Sequence, residues 1–424
     1  MIDHREIKER VLLVAVSLDE SGREDATAEE SLTELAELVK TAGAEEVGRV
    51  IQNRERIHPG TYVGSGKIQE ILELAQELGA NGVVCDDELT PAQLRNLENA
   101  LEMKVMDRTM VILDIFASRA STREGKIQVE LAQLRFRATR LVGMRNSLSR
   151  LGGGIGTRGP GETQLEVDRR RIHERISKLK RDLEAVVAQR ETARSRRLAN
   201  HIPVCALVGY TNTGKSTLLN RLTGAGVLEE DQLFATLDPT TRNLALPDGQ
   251  EILLTDTVGF IRKLPHHLIE AFKSTLEEAR YADIILHVID SANPHCYLQM
   301  HTVYETLKDL NVGDKPVIAV LNKQDIADPE ETVKDLKADR SVRISARTGA
   351  GIDQLLAAIE EVLLEQKLLF EETIPYPQAG LVQQIRKCGQ LMEEEYTGEG
   401  IRVKAYLPKQ DYLKMMSRLG WNMR

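Results

Sequence analysis

Residues 204–222 read VCALVGYTNTGKSTLLNRL, and this stretch decides the fold around it. Its first five residues form an uninterrupted apolar run, which is typical of a strand buried on both faces. Gly209–Ser216 then has the spacing of a phosphate-binding loop, with one glycine at its start and a second glycine directly before lysine and serine. A helical pattern follows. A strand, a glycine loop and a helix in this order predict a backbone that wraps a phosphate group.

The residue types of the loop indicate how each would act. Gly209 and Gly214 let the backbone approach phosphate oxygens closely, and the amides and helix N-terminus supply positive potential. Lys215 is predicted to reach the β- and γ-phosphates, and Ser216 to bind Mg²⁺ through its hydroxyl. The loop residues predicted to contact the nucleotide are Gly209, Tyr210, Thr211, Asn212, Thr213, Gly214, Lys215 and Ser216.

A second motif follows the apolar run at residues 252–254 and reads DTVG. Asp256 stands at a predicted strand end, where its carboxylate can hold the Mg²⁺ shell. The amide of Gly259 can sense the γ-phosphate, so the segment after it is expected to switch with nucleotide state. The site residues predicted here are Asp256, Thr257, Val258 and Gly259.

Two later motifs predict the base. Residues 322–325 read NKQD, and residues 345–347 read SAR. A carboxylate at Asp325 can accept from both N1–H and the 2-amino group of guanine, a donor pair that adenine lacks. Lys323 can lie along the base plane, and the Ala346 amide can meet guanine O6. The residues predicted to bind the base are Asn322, Lys323, Asp325, Ser345, Ala346 and Arg347. A guanine nucleotide would then lie at the carboxyl edge of a doubly wound sheet.

The segment between these motifs, residues 234–241, reads FATLDPTT and is predicted to carry a switch threonine that binds Mg²⁺ only with GTP. We prefer Thr236, with Thr240 and Thr241 left open as alternatives. The metal ligands are then Ser216, Thr236 and Asp256. The nucleotide contacts predicted from this segment are Phe234, Ala235, Thr236, Leu237 and Asp238.

One side chain that many GTPases use for hydrolysis is absent from the sequence. Many GTPases carry a water-orienting glutamine directly after this glycine motif, and here Phe260 takes that place. The predicted catalytic residues are therefore Lys215, Thr236 and Gly259. His266 and His267 follow a proline and are interpreted as ordinary helix residues. We expect slow intrinsic GTP hydrolysis that a partner stimulates.

The first hundred residues alternate strand and helix signals, which predicts a small α/β domain with a largely parallel sheet. Within it, residues 64–67 read GSGK and imitate the phosphate loop. However, Thr61 stands where the first glycine belongs, and Ile68 follows Lys67, so no hydroxyl is available for a metal. We favour a glycine turn that caps a helix, with a weak second site for ATP as the alternative.

Residues 135–197 contain 17 Lys/Arg and 7 Asp/Glu, a net charge of +10, whereas the whole chain carries −9, so the remaining residues carry −19. Apolar residues recur at steps of three, four and seven on either side of residues 151–162, which hold six glycines and one proline. This pattern predicts an antiparallel helical hairpin with a basic, glycine-rich tip. A polyanion is one expected contact, and a solvated helix face is the other interpretation.

These patterns predict an α/β protein in four parts. They are an N-terminal α/β domain over residues 1–112, a helical linker over 113–199, a GTPase domain over 200–366, and a small C-terminal α+β domain over 367–424. The GTPase domain should have a doubly wound, mainly parallel sheet. The sequence contains no apolar run of about 18 residues, so no membrane-spanning helix is predicted. The four cysteines are far apart in sequence, which argues against a disulfide scaffold and for a reducing cytoplasm.

Taken together, these stretches resemble the HflX GTPases, relatives of the Obg class of P-loop GTPases. The stretches that carry the resemblance are residues 209–216, 234–240 and 256–262, with 107–109, 113–117 and 152–166 outside the GTPase domain. The resemblance implies a ribosome-associated GTPase that uses Mg²⁺, binds the large ribosomal subunit through its RNA and proteins, and splits stalled or inactive ribosomes. It also implies that the glycine-rich tip probes ribosomal RNA, and we expect a cytoplasmic monomer. Two other functions stay open: a signalling GTPase acting on a protein effector, and an RNA-remodelling NTPase with a second ATP site in the N-terminal domain.

Overall fold

The computed structural model describes residues 8–18, 28–148, 164–199, 202–224, 233–234, 237, 239–263, 278–313, 315–329 and 332–419. The N-terminal elements are β1 (Arg10–Leu18), α1 (Ala28–Thr41), β2 (Glu45–Arg54), α2 (Ser65–Leu78), β3 (Gly82–Cys85), α3 (Pro91–Leu101), β4 (Lys104–Asp107) and α4 (Arg108–Arg119). The four strands pair in the order β2-β1-β3-β4, and every pairing is parallel, as predicted.

Strand β1 shows why this sheet is covered on both faces. Val11, Leu13 and Ala15 pack into the cluster that contains α1 and α4, whereas Leu12 and Val14 pack into the cluster that contains α2 and α3. Because side chains alternate along a strand, a continuous apolar run supplies both faces of a parallel sheet. Strand β2 is not predicted by the sequence pattern, because it is an edge strand with many polar residues.

Two long helices, α5 (Arg123–Leu148) and α6 (Gln164–Ala199), pack against each other and form the predicted hairpin. Their seam is built by Ile127 and Leu131 from α5 and by Ile176 and Leu179 from α6. The Arg175 guanidinium donates to both carboxylate oxygens of Glu130, at 2.7 and 3.0 Å. The predicted tip, residues 151–162, lies outside the described residues.

The next region holds β5 (Val204–Gly209), α7 (Lys215–Thr223), β6 (Thr240–Ala245), β7 (Glu251–Asp256), β8 (Ile284–Asp290), α8 (Cys296–Asp309), β9 (Val317–Asn322), β10 (Arg340–Arg343) and α9 (Ile352–Glu365). The strand order is β10-β9-β8-β5-β7-β6, and within the described part of this sheet only the β6–β7 pairing is antiparallel. A doubly wound, mainly parallel sheet is therefore confirmed. Its central strand β5 leads directly into the glycine loop.

The C-terminal elements are β11 (Lys367–Ile374), a 3-10 turn (Tyr376–Gln378), α10 (Gly380–Cys388), β12 (Gln390–Tyr396), β13 (Ile401–Pro408) and α11 (Lys409–Arg418). They form a three-stranded antiparallel sheet in the order β11-β13-β12, with both helices packed on its apolar face. Residues 401–407 alternate apolar and other side chains as a half-buried strand does, and they lie in β13, which α11 follows directly. Strand β11 was not predicted, since its apolar residues follow a helical stretch without a break.

The division of the chain into four parts stays a prediction, and the structure bears on one of its boundaries. Helix α4 runs across the boundary placed between residues 112 and 113. Ile112, Ile115 and Phe116 of this helix are all buried in one cluster with β1. The helix therefore packs as one unit on the N-terminal sheet, and a boundary after Arg119 agrees better with this packing.

Candidate nucleotide-binding site

The glycine loop between β5 and α7 encloses its own lysine. Lys215 is 6% exposed, and its Nζ donates to the carbonyl oxygens of Tyr210 at 2.6 Å and Gly209 at 3.2 Å. Burial lowers the pKa of Lys215 to about 8, while the nearby Asp256 carboxylate opposes that shift. A positive charge is thus held inside the loop, where phosphate oxygens can bind it.

Asn322, at the end of β9, ties the loop to the neighbouring strand ends. Its Nδ2 donates to the Thr213 carbonyl at 2.8 Å, and its Oδ1 accepts from the Ala346 amide at 2.9 Å. Gly214 has a left-handed φ of 94°, and a Cβ atom there would overlap the Asn322 side-chain amide. The Ala346 amide was predicted to meet guanine O6, but in this structure it donates to Asn322.

The remaining base-motif residues lie close to one another. Asp325 accepts a hydrogen bond from the Ser345 hydroxyl at 2.7 Å. Lys323 has a positive φ of 63°, and its ammonium lies 2.7 Å from Asp290 Oδ2 at the end of β8. The Arg347 carbonyl accepts from Arg221 of α7 at 3.2 Å. The ends of β8 and β9, the segment after β10 and the last turn of α7 therefore lie close together.

Two of the three predicted metal ligands are adjacent. Ser216 Oγ donates to Asp256 Oδ2 at 2.8 Å, and Asp256 is fully buried at the end of β7. A hydroxyl and a carboxylate are the hard oxygen donors that Mg²⁺ prefers, so this pair fits the ion. The third ligand, Thr236, lies outside the described residues, as do Ala235 and Asp238.

The other candidate threonines lie on β6. Thr241 Oγ1 is 3.0 Å from Thr255 Oγ1 of the neighbouring strand, and Thr240 lies opposite Asp256 in the β6–β7 ladder. Thr241 is therefore engaged within the sheet in this structure. Of the remaining predicted contacts in this segment, Phe234 and Leu237 are buried, and the Phe234 ring lies 4.7 Å from that of Phe116 on α4.

The motif after β7 is also buried. The Thr257 hydroxyl donates to the Leu207 carbonyl of β5 at 2.7 Å, and Val258 is buried. Phe260 is 2% exposed and forms an isolated parallel bridge with Tyr210. Its ring has no polar atom that could orient a water molecule. His266 and His267 lie outside the described residues.

A set of contacts from the N-terminal domain to the loop was not predicted from the sequence. Tyr210 Oη donates to Glu34 Oε1 of α1 at 2.6 Å. Arg108, which is 1% exposed, pairs with Glu34 at 2.6 Å and with Asp86 at 2.8 Å. Although burial raises it, Arg108 and Lys263 hold the pKa of Asp86 below its ordinary value. In the sequence, Asp107-Arg108-Thr109 contributes to the family resemblance and gives no sign of these contacts.

Lys263, four residues after Gly259, completes this set. Its ammonium donates to Asp86 and lies 2.7 Å from Asp87 Oδ1. A cleft of about 330 Å³ opens beside these contacts, between α1 and the glycine loop. The acidic side chains of α1 and the start of α8 line this cleft. The N-terminal domain therefore borders the candidate site directly.

The second glycine-lysine stretch forms no such enclosure. Gly64 is the N-cap of α2, and its amide donates to the Gln52 side chain at 2.9 Å. Lys67 Nζ lies 2.7 Å from Glu70 Oε2, one turn further along the same helix. The predicted helix-capping turn is confirmed. Within the described parts of the chain, no helix is long and apolar enough to cross a membrane.

Comparison with known proteins places related sequences along most of the chain. Three family models match in succession: GTP-binding GTPase N-terminal over residues 29–117, GTP-binding GTPase Middle Region over 119–197, and 50S ribosome-binding GTPase over 204–323. The third model includes the glycine loop, the DTVG motif and the first residues of the NKQD motif.

Full-length relatives agree with these models. The chain is 65% identical to a protein named GTPase HflX from Lacrimispora saccharolytica over 410 residues, which cover 97% of this chain and 96% of the relative. It is 45% identical to the GTPase HflX of Escherichia coli K12, covering 91% of this chain and 92% of that one. A crystal structure of a GTP-binding protein from Sulfolobus solfataricus in complex with GDP aligns at 24% identity and a TM-score of 0.45, covering 83% of this chain and 98% of that chain.

Proposed function

Because the chain belongs to the HflX GTPase family and is a GTP-hydrolysing enzyme, we propose that it binds the large ribosomal subunit and separates stalled or inactive ribosomes. The ribosome stimulates hydrolysis in this proposal, and the protein acts as a monomer in the cytoplasm. The matching model that is described as a 50S ribosome-binding GTPase supports this partner. The helical hairpin is the part of the chain that we assign to ribosomal RNA.

The nucleotide lies at the strand ends of β5, β7, β9 and β10 in this proposal. The buried ammonium of Lys215 neutralises charge on the β- and γ-phosphates, and Asp325 selects guanine. Ser216, Asp256 and Thr236 hold Mg²⁺, which supplies charge neutralisation on the phosphate oxygens when bound. The Ser216–Asp256 contact at 2.8 Å is the observation that supports the metal assignment.

Hydrolysis by the isolated protein should be slow. Phe260 is buried and has no group that can align an attacking water. The Gly259 amide is the group we assign to γ-phosphate sensing. A partner that moves the segment around Phe260 can therefore change the rate strongly, and the ribosome is the proposed partner.

The basic surface of the hairpin carries the ribosome proposal. In α6, Arg169, Arg170 and Arg171 are all exposed, as are Lys178 and Lys180. Among the side chains described in α5 and α6, no large apolar residue is exposed, because Ile127, Leu131, Ile176 and Leu179 cover one another. A coiled-coil surface for a protein effector would need free apolar residues. An exposed cationic surface favours a polyanion such as RNA.

The proposal is tested by sedimentation of the full chain with purified large subunits, with GDP or a non-hydrolysable GTP analogue, across a series of salt concentrations. The affinity should fall steeply with salt, by a logarithmic slope of about 0.7–0.9 per phosphate contact. The triple variant with Arg169, Arg170 and Arg171 replaced by Gln should bind more weakly and with a smaller slope.

A matched control carries three Gln substitutions at exposed lysines elsewhere, namely Lys40, Lys308 and Lys414. It lowers the net charge of the chain by the same amount and should leave both the affinity and the slope almost unchanged. Equal losses in the two triple variants would mean that total charge, and not the hairpin, decides binding. Salt-insensitive binding of the unmodified protein would remove RNA phosphates as the contact.

A further inference from the structure

The segment after β7 is clasped against the glycine loop, and we call residues 259–263 together with 209–211 the switch clasp. The Phe260 amide donates to the Gly209 carbonyl at 3.0 Å, and the Thr211 amide donates to the Phe260 carbonyl at 2.8 Å. The Arg262 amide donates to Tyr210 Oη at 2.9 Å. Three hydrogen bonds thus run between the loop that holds phosphates and the segment that senses them.

The clasp closes the space next to the lysine. A Cβ atom built on Gly259 would lie 3.0 Å from Lys215 Nζ and 2.9 Å from Thr211 Cα. Since a carbon–carbon bond is about 1.5 Å long, the Gly259 Cα lies within about 4.5 Å of Nζ. A γ-phosphoryl oxygen that accepts from both the Lys215 ammonium and the Gly259 amide needs a charge-assisted hydrogen bond of about 2.7–2.9 Å on each side. The closed clasp therefore places Gly259 against the space that a γ-phosphoryl group would enter.

The tyrosine hydroxyl connects the clasp to the N-terminal domain. Tyr210 Oη accepts from the Arg262 amide and donates to the Glu34 carboxylate at 2.6 Å. The outer end of the clasp is fixed by the Lys263 ammonium, which donates to Asp86 and Asp87. Tyr210 is therefore the residue of the glycine loop whose side chain holds the sensing segment closed.

We propose that Tyr210 is a specificity-determining residue that discriminates GDP from GTP, because its hydroxyl keeps the switch clasp closed over the γ-phosphate position. This inference rests on the nucleotide assignment made above. GDP needs the loop and the base site alone, so it binds with the clasp closed. GTP binds only after the clasp opens, and its apparent affinity is reduced by the fraction of open molecules.

The test measures the affinities of the full chain for fluorescent GDP and for a fluorescent non-hydrolysable GTP analogue. Tyr210→Phe keeps the ring and removes the hydroxyl. We expect the affinity for the GTP analogue to rise about tenfold while the affinity for GDP changes less than about twofold, as removal of two hydrogen bonds from the closed state implies. Tyr304→Phe is the matched control, because Tyr304 Oη also donates to a carboxylate, Asp335, at 2.6 Å, away from the clasp. It should leave both affinities unchanged.

A second variant, Lys263→Gln, loosens the outer end of the clasp without touching the loop and should shift the ratio of the two affinities in the same direction. The proposal is overturned if neither variant changes this ratio, or if Tyr210→Phe weakens both nucleotides equally. Lys215→Ala separates this outcome from failure of the nucleotide assignment itself. If that variant binds both nucleotides normally, the site lies elsewhere; if it binds neither, the site stands and only the role of Tyr210 is judged.

Discussion

The chain contains two glycine-lysine loops that differ in what surrounds them. The loop at residues 209–216 leaves the central strand β5 and enters α7 within six residues, so the strand ends of β7 and β9 lie beside it. The stretch at residues 64–67 follows the edge strand β2, which ends at Arg54. Lys215 is enclosed by carbonyl oxygens, whereas Lys67 pairs with Glu70 on its own helix. The position of the loop in the sheet, more than the glycines and lysine themselves, is therefore what makes residues 209–216 the candidate phosphate site.

Removal of each lysine in turn tests the difference between the two loops with the largest expected effect. Lys215→Ala should reduce the affinity for GTP and GDP by about 100-fold or more, since it removes the buried charge that is proposed to bond to phosphate oxygens. Lys67→Ala should change neither affinity by more than about twofold. Titration with fluorescent guanine and adenine nucleotides measures both effects. Retained ATP binding in Lys215→Ala that is lost in the double variant would reveal a second site at Lys67.

The neighbouring strand ends should give the first loop its choice of base. Asp325→Asn replaces the carboxylate that is proposed to accept two guanine donors. The affinity for GTP should fall by about 30- to 100-fold, as expected for loss of a charged hydrogen-bond acceptor, while the weak affinity for ATP stays the same. Competition of GTP and ATP against a fluorescent guanine nucleotide measures the ratio. A ratio that does not move would show that Asp325 does not read the base.

Much of this arrangement was accessible from the sequence. The central strands of the two mainly parallel sheets are short apolar runs, because burial on both faces requires apolar residues at every position. The motifs stand at the ends of those runs, so the parallel topology brings Lys215, Asp256 and Asn322 to one edge. The hairpin seam was predicted equally well, since helical periodicity names the residues that face the partner helix.

Other features carry no pattern of this kind. Strands β2 and β11 are edge strands, where polar residues are tolerated and the apolar alternation is weak. The hydrogen bond between Glu34 and Tyr210 joins residues 176 positions apart. Neither side chain belongs to a local pattern, and their meeting depends on how the N-terminal domain packs on the loop. The switch clasp was missed for this reason.

Nucleotide binding should depend on pH through Lys215. The pKa of Lys215 is lowered to about 8 by burial. Negative phosphates favour the ammonium form and raise this pKa in the complex. Above pH 8 most molecules of the free protein have lost the Lys215 ammonium proton, so GDP binding is accompanied by uptake of a proton. The affinity for GDP should therefore fall by about tenfold between pH 7 and pH 9. Calorimetry in buffers of different ionisation enthalpy measures the proton uptake.

Two variants identify the ionisable group that causes this pH dependence of the GDP affinity. Lys67→Ala should retain it in full, because Lys67 lies outside the proposed site. Lys215→Arg keeps its charge across the range and should lose it, so any slope that remains belongs to the nucleotide. A flat affinity in the unmodified protein between pH 7 and pH 9 would contradict the proposed role of the buried lysine.

The smallest expected effect concerns the ion pair that Lys67 forms with Glu70. Its partner Glu70 is 57% exposed and lies one helical turn away, so Glu70→Ala should lower the local stability of α2 by only about 0.2–0.5 kcal/mol, and by less at high salt. Hydrogen exchange of the α2 amides measures this change. Glu37→Ala on α1, where the carboxylate is 3.9 Å from Lys40, is the control for an exposed pair of the same spacing. A loss above 1 kcal/mol, or any change in nucleotide affinity, would mean that Lys67 does more than pair on the helix surface, and the contrast between the two loops would fail.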